Sequence, residues 1–385
     1  MVVSVRTSSV IRFALLCGVV LLSGLRGQAQ EFPIFREPQN WFNPGPQKMV
    51  CPVPNMIGDG FVNLTDLFIQ NDTNVGLATV PMAGGADRLV ISRNNSARPQ
   101  DRIYLHYGHL TGGLTGSANF PGVNRTEVAS LDRYVLGIER SCLEGRASLE
   151  IRMPYASQRD FDFGSTAFSV RNYNYQGDLS AIGKFILSET ESSTISAGVA
   201  IQLPSAGDVT GTDRTTAFTI DHDAIYISPF VAFSAAQADW FYNGFIQADF
   251  NVVGDGFTAG DVSNLPNSFQ TGTYNPQNLL RISYGAGKWF TQNYDREWFR
   301  GLAGIVEMHY TGTLNDTDTV VLSGPTSVRV LTNRENRQHF FNLTAGLHME
   351  VRENINTRVG VSVPLRDRDR QFDATFMVQV DVLLR

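Results

Sequence analysis

The residues best suited to do chemistry in this chain are charged side chains that alternate with apolar ones. Between Arg146 and Met153 the odd positions are apolar, and the even positions are Arg146, Ser148, Glu150 and Arg152. Side chains of a β-strand alternate between two faces, so this segment has one apolar and one charged face. A soluble sheet shows this polarity when its apolar face covers a core, and a membrane barrel shows it when its charged face lines a lumen.

If the apolar faces meet lipid, the opposite faces line a lumen. The titratable residues predicted to line it are Arg102, His106, Arg133, Glu139, Arg146, Glu150, Arg152, Lys184, Asp249, Arg281, Glu307, His309, His348, Glu350, Arg358 and Asp381. Both signs are interspersed, and buried charges must be paired or hydrated. Two interpretations therefore remain open: a water-filled pore whose selectivity these residues set, or a narrow interior that their ion pairs hold closed.

Other titratable clusters have plainer explanations. Adjacent residues such as Asp221, His222 and Asp223 do not converge well on one ion, so we predict no metal site and no cofactor. A rim-active hydrolase could be built from His106, His109 and Ser117, but their spacing carries no specific signal. Because the chain has no nucleophile elbow, zinc-protease or phosphate-loop motif, we do not predict an enzyme.

The elements that must position these residues are strands. Alternation of apolar and polar positions predicts twelve, near 102–110, 132–143, 146–153, 178–188, 193–203, 224–235, 239–250, 279–290, 299–310, 338–351, 355–364 and 372–385. The connections alternate between long and short along the chain, which places every long connection at one end of the sheet. This layout is typical of a transmembrane antiparallel up-and-down β-barrel and not of a Greek-key sandwich.

The residues before the predicted barrel form two further regions. Residues 1–30 combine basic residues, an apolar run and a small-residue cleavage zone, which predicts a signal peptide. Residues 31–101 are rich in Pro and Gly, and we predict a periplasmic segment or a lumen plug. The barrel domain is predicted over 102–385. Removal of the three arginines in residues 1–30 leaves 28 basic and 37 acidic residues, which disfavours a nucleic-acid partner.

Two cysteines remain after residue 30, Cys51 and Cys142. Because an exported protein lies in an oxidising compartment, the pair could form a disulfide that ties the N-terminal segment to the barrel. Two free thiols are the alternative, which we favour slightly.

Two segments resemble known barrel families. Residues 196–204, SAGVAIQLP, resemble strands of the bacterial outer-membrane barrels grouped with the phenol-degradation meta-pathway transporter-like proteins. Residues 92–104, SRNNSARPQDRIY, are similar to a group of secreted barrel proteins of planctomycete bacteria. The resemblance covers roughly residues 55–385 and implies an outer-membrane location. The C-terminal residues 382–385 are VLLR, whereas barrels of this kind commonly end in an aromatic residue.

The sequence thus predicts an all-β outer-membrane barrel of about twelve strands, most simply a narrow porin or small-solute transporter. The expected partners are outer-membrane lipid, small solutes and the barrel-assembly machinery. Three alternatives remain: a structural barrel without transport, the rim-active hydrolase, and a soluble secreted β-sandwich that binds a ligand.

Overall fold

The computed structural model describes part of the chain. These residues are 53–61, 64–71, 74–81, 88–120, 123–157, 161–162, 168–172, 176–213, 216–261, 269–323, 327–333, 336–366 and 370–384. All of them belong to the unit Phe42–Arg385. The predicted signal peptide and Cys51 lie outside the described residues.

Twelve antiparallel strands close into a barrel. They are β3 (Arg102–Phe120), β4 (Val123–Cys142), β5 (Ala147–Ala156), β8 (Leu179–Glu189), β9 (Ser193–Leu203), β12 (Ile225–Gln237), β13 (Trp240–Val253), β16 (Leu279–Gln292), β17 (Gly301–Thr313), β20 (His339–Arg352), β21 (Ile355–Pro364) and β22 (Ala374–Leu383). Each strand pairs with its neighbours along the chain, and pairing of β3 with both β22 and β4 completes the ring. The predicted twelve-stranded barrel is confirmed, and the sandwich alternative is wrong because the sheet closes on itself.

Apolar side chains point out of this ring and polar side chains point in. Leu149 and Val199 are 56% and 47% exposed on the outer face, whereas Glu150 and Gln202 on the same two strands are buried. The alternation holds across the strands because a closed sheet has only one inner face. No helix in the described part of the chain is long and apolar enough to cross a membrane.

The short connections lie at one end of the barrel, which we call the turn end, and the long ones at the other, the loop end. The long connections, predicted as loops, contain strands of their own. These are β6 (Phe161–Asp162), β7 (Phe168–Asn172), β10 (Val209–Asp213), β11 (Thr216–Asp221), β14 (Asp255–Asp261), β15 (Gln270–Tyr274), β18 (Thr319–Ser323) and β19 (Ser327–Thr332). The N-terminal segment adds β1 (Leu64–Asn71) and β2 (Asn74–Pro81).

The additional strands extend the barrel at its loop end. Strands β18, β19, β1 and β2 continue the sheet from the far part of β3, and β15, β14, β11, β10, β7 and β6 form a second sheet. Apolar residues from both sheets meet the end of the barrel in one buried cluster, the cap cluster, which includes Leu110, Leu131, Phe218, Phe257 and Leu331. Apolar packing therefore fills the loop end.

Two passes of the N-terminal segment contact the inner face of the barrel. The first pass, residues 53–61, makes its contacts to Asn243 near the turn end and then to Arg133 toward the loop end. The second pass, residues 88–101, returns to the turn end, where it leads into β3. Met56, Ile57, Phe61 and Ile91 are buried in these passes. Burial of a large apolar side chain contributes about 1.5–3 kcal/mol, so these side chains favour the position of the passes inside the barrel.

Candidate functional site

The barrel interior contains the predicted lumen-lining residues. Those that are buried there are Arg102, His106, Arg133, Glu139, Glu150, Arg152, Lys184, Asp249, Arg281, Glu307, His309, His348, Arg358 and Asp381. Glu350 faces the same interior at the turn end and is half-buried. The structure thus brings fifteen of the sixteen residues together on one face.

Arg146 does not belong to this set. It is exposed in the turn at residues 143–146, which is longer than the two-residue turn expected from the sequence, so the strand alternation begins only at Ala147. The hydrolase residues also stay apart. His106 faces inward against Gln379, whereas His109 is partly exposed and bonded to Asp132, with 2.7 Å from Nδ1 to Oδ1. An odd sequence separation within one strand puts the two histidines on opposite faces.

Ion pairs join the interior charges into a network. The Arg102 guanidinium lies 3.0 Å from the Glu139 carboxylate and 3.1 Å from that of Asp381. Lys184 Nζ lies 3.1 Å from Glu139, and Arg358 contacts the other oxygen of Asp381. Removal of one partner would leave a buried charge uncompensated and would strongly destabilise the fold. Because Glu139 and Asp381 each contact two cations, the loss of either carboxylate would affect both of its partners.

Two further pairs lie on other walls. Arg281 Nε is 3.0 Å from Asp249 Oδ2, and His309 Nε2 is 3.1 Å from Glu307 Oε2. The network therefore spans opposite sides of the barrel and favours the interpretation of a narrow interior held closed by ion pairs.

The wall holds the first pass mainly through main-chain atoms. The Glu307 carboxylate accepts hydrogen bonds from the backbone N–H groups of Ile57 at 2.7 Å and Gly58 at 2.8 Å. Gln379 donates to the Ile57 carbonyl and Thr344 to that of Gly58. Gly58 has a φ of +90°, and a Cβ there would lie 2.8 Å from the Arg93 Cα, so only glycine lets the two passes approach this closely.

The second pass is held in the same way. Gln202 accepts from the Leu89 N–H at 3.0 Å, and Gln247 accepts from the Ile91 N–H at 2.9 Å and donates to the Leu89 carbonyl. Arg152 donates to the Ile91 carbonyl. The sequence analysis missed the glutamines because it considered only charged side chains, although they share the inward parity of their strands.

Two cavities remain around the passes. A cavity of about 460 Å³, the vestibule, opens at the turn end beside Val53 and Trp289. A second cavity of about 30 Å³ lies beside His106, with room for a water or two. They share no lining residue, and Asn94 beside the second is hydrogen-bonded to Arg358 and Asp381 beside the first. Asn94 of the second pass therefore lies between these two cavities.

Two carboxylic acids are buried at the loop end: Asp178 directly precedes β8, and Asp255 is the first residue of β14. Burial raises the pKa of Asp178 to about 6 and that of Asp255 to about 7. The charges of Asp178 and Asp223 raise the pKa of Asp255 further, against hydrogen bonds from the backbone N–H groups of Asp223 and Ala224. Asp255 Oδ2 is buried and has no hydrogen-bond partner among the described residues. Ionised Asp255 is therefore poorly solvated.

Replacement of Asp255 by asparagine is expected to stabilise the protein at pH 8. The folded-state pKa lies above the unfolded value near 3.9, so the folded state binds more protons between about pH 4 and 7 and wild-type stability falls as pH rises through that window. Asp255→Asn removes this loss, on the order of 2–4 kcal/mol at pH 8. The change in stability is measured as the temperature at which half of the protein shifts from the folded to the unfolded band on gels, after heating at pH 5 and at pH 8.

The control for that substitution is Asp239→Asn, since Asp239 is exposed in the β12–β13 turn, at the opposite end of the barrel from Asp255. It should leave the difference between pH 5 and pH 8 nearly unchanged. If stability depends on pH equally in wild type and in Asp255→Asn, ionisation of Asp255 does not destabilise the folded state.

The described residues contain neither a disulfide bond nor a cluster of metal-binding side chains. Cys142 is a free thiol there, and its suggested partner Cys51 lies outside them, so the predicted disulfide stays a prediction. The described residues also hold no group of three or more His, Cys, Asp or Glu side chains arranged to bind a metal ion. His222 is buried and its backbone N–H donates to Asp208.

Comparisons with known proteins find similarity in structure only. No family model matches the chain, and no curated protein matches it. An outer membrane channel from Pseudomonas putida F1 is 11% identical, with 78% of this chain and 98% of that chain covered and a TM-score of 0.45. The NanC porin is 9% identical, with 73% and 100% covered and a TM-score of 0.41.

A third similar structure is the Pseudomonas putida toluene transporter TodX. It is 8% identical, with 74% of this chain and 87% of that chain covered and a TM-score of 0.38. Neither location nor function is inferred from similarities of this degree.

Proposed function

We propose that this chain is an outer-membrane β-barrel that lets small solutes pass only when its own N-terminal passes shift. The observation that carries the proposal is the inverted polarity of the closed barrel. Its outer face is apolar and exposed, and its inner face is charged and ion-paired. Soluble proteins rarely expose so large an apolar surface, whereas a bilayer solvates it.

Aromatic residues at the turn end agree with this location. Trp240 and Phe290 are exposed there, on the outer face of β13 and β16. Trp and Tyr side chains are favoured at the level of lipid headgroups, because each has an apolar body and a polar tip. In an outer membrane the turn end would face the periplasm and the loop end the exterior.

The interior supports gating over a permanently open pore. The two passes and the cap cluster fill the route between the vestibule and the loop end. However, the passes are held by apolar packing and by hydrogen bonds with wall side chains, which water can replace, and they are not strands of the barrel. The passes can therefore move while the wall stays intact.

A structural barrel without transport is the second candidate. The buried apolar side chains Met56, Ile57, Leu89 and Ile91 favour it, because they pack the passes against the wall. The hydrolase alternative has no such support, since His106 and His109 lie on opposite faces.

Conductance in planar bilayers tests the proposal. The mature chain should be closed most of the time and show brief openings of small conductance. A large, steady conductance would contradict closure by the passes. Silence of the wild type, together with silence of a variant whose passes are loosened, would favour the structural barrel.

A further inference from the structure

The vestibule contains two arginines that differ from every arginine of the ion-pair network. Arg300 and Arg352 both line it and are half-buried. Their guanidinium groups form no hydrogen bond or ion pair with the described residues, and the Nε atom of each is buried without a partner. By contrast, Arg358, which also lines the vestibule, and Arg102 are paired with carboxylates.

The two arginines are neighbours on the inner rim. The Arg300 N–H donates to the Glu350 carbonyl at 2.7 Å, and Arg352 follows Glu350 by two residues on β20. A register shift in the β20–β21 pairing separates Glu350 from Arg352, and the Arg300 and Arg352 side chains both line the vestibule. Glu350, Glu353 and Asp381 also line the vestibule, but Arg98 and Arg358 line it together with Arg300 and Arg352, so four arginines face three carboxylates.

Aromatic rings hold both guanidinium groups in place. The Arg352 guanidinium lies 3.5 Å from the centroid of the Trp298 ring, and that of Arg300 lies 5.3 Å from the Tyr294 centroid. A guanidinium packed on a ring keeps its in-plane N–H donors available at its edge. Such a pre-oriented donor edge matches the two oxygens of a carboxylate or phosphate.

The rest of the vestibule is suited to hydroxyl groups. Thr194 and Ser234 are cross-strand partners whose buried side chains line the cavity, together with Asn356 and the indole of Trp289. Hydroxyl and amide side chains donate and accept, as sugar-like hydroxyls do. A volume of about 460 Å³ suits a solute of small-molecule size.

We propose that the vestibule binds a small hydroxylated organic anion, with its carboxylate or phosphate on Arg300 and Arg352. The inference rests on the proposed function and names the class of solute that the barrel would take up from the turn end. The site would concentrate such anions next to the first pass, at Val53 and Pro54, which also line the vestibule.

Isothermal titration of the full mature chain in detergent micelles tests this site. The probes are gluconate, glycerol 3-phosphate and uncharged sorbitol. We expect saturable binding of at least one anion and at least tenfold weaker binding of sorbitol, because a charge-assisted bidentate pair is lost. The stronger of the two anions identifies the preferred oxyanion.

Variants locate the anion. Arg300→Gln and Arg352→Gln should each weaken anion binding about tenfold or more, and Arg352→Lys should weaken it less because the charge remains. Arg296→Gln is the matched control, since Arg296 is exposed in the same turn and does not line the vestibule. Heat-modifiable migration on gels shows that each variant is folded.

Three results would overturn the proposal: no binding of either anion, equal binding of sorbitol, or anion binding unchanged in both glutamine variants. Because binding is measured without conductance, anion binding by a barrel that never conducts would retain the site and reject only solute passage. Conduction without anion binding would retain solute passage and reject the anion site.

Discussion

Replacement of Glu307 by alanine is expected to raise the mean conductance of the barrel by roughly two orders of magnitude. Glu307 accepts the backbone N–H groups of Ile57 and Gly58, and its second oxygen also contacts His309. Hydrogen bonds to a charged group are worth about 1.5–3 kcal/mol each, and about 1.4 kcal/mol changes an equilibrium tenfold. Loss of both shifts the balance between held and displaced passes toward the displaced state.

The measurement is single-channel recording in planar bilayers, scored as open probability multiplied by unit conductance. Glu144→Ala is the control, because Glu144 is an exposed glutamate in the turn at residues 143–146 and contacts neither pass. It should behave as wild type. If Glu307→Ala is folded and as closed as wild type, the first pass is not the gate.

Replacement of Val199 by arginine is expected to abolish most of the assembled barrel. Val199 is 47% exposed in the middle of β9, where the proposed location puts it near the centre of the bilayer. Arginine on the lipid face of a barrel costs about 2–4 kcal/mol near the midplane, a large share of the stability of a typical domain. The yield of heat-modifiable protein after refolding into vesicles measures this loss.

Val128→Arg is the control for that substitution. Val128 is 61% exposed, but it lies in the loop-end part of β4. Its neighbours in sequence are Glu127, which is ion-paired with Arg125, and Ala129 of the cap cluster. An aqueous position there predicts a normal yield. Equal yields from the two arginine variants would mean that the outer face at Val199 is not in hydrocarbon.

The sequence predicted the barrel strands well because one physical pattern determines them. An alternation of apolar and polar residues is forced on every strand with lipid on one side, so all twelve strands were found, ten of them within about three residues at each end. The exceptions are β3 and β4, which continue nine or ten residues beyond their predicted loop-end limits. The same pattern placed charged residues such as Glu150, Lys184 and Asp381 on the inner face. The prediction that Arg146 faces the interior was wrong, because a turn interrupts the alternation there and no residue propensity determines where strand pairing ends.

The strands at the loop end could not be predicted in this way. Segments such as Val209–Asp213 and Gln270–Tyr274 are five residues long, and they are stabilised by pairing with distant segments. Tertiary context decides such strands, not local pattern. The course of the two passes was likewise hidden, because irregular backbone held by wall side chains leaves no period in the sequence.

The pairing of the ion network was only partly visible. Sequence parity identifies which charges share the inner face, but partners such as Arg102 and Asp381 lie 279 residues apart. Their contact requires the closure of β3 on β22. The unpaired Arg300 was not predicted at all, since it lies in a turn where parity is lost.

The most direct test of the account is the solvent that contacts Val199. A nitroxide is attached at Val199→Cys or Val128→Cys in a chain whose Cys51 and Cys142 are serines, and the labelled barrels are placed in lipid vesicles. Oxygen concentrates in hydrocarbon and a nickel chelate stays in water. The account predicts that the label at 199 collides more often with oxygen and the label at 128 more often with nickel. Greater access of nickel at 199 would contradict it.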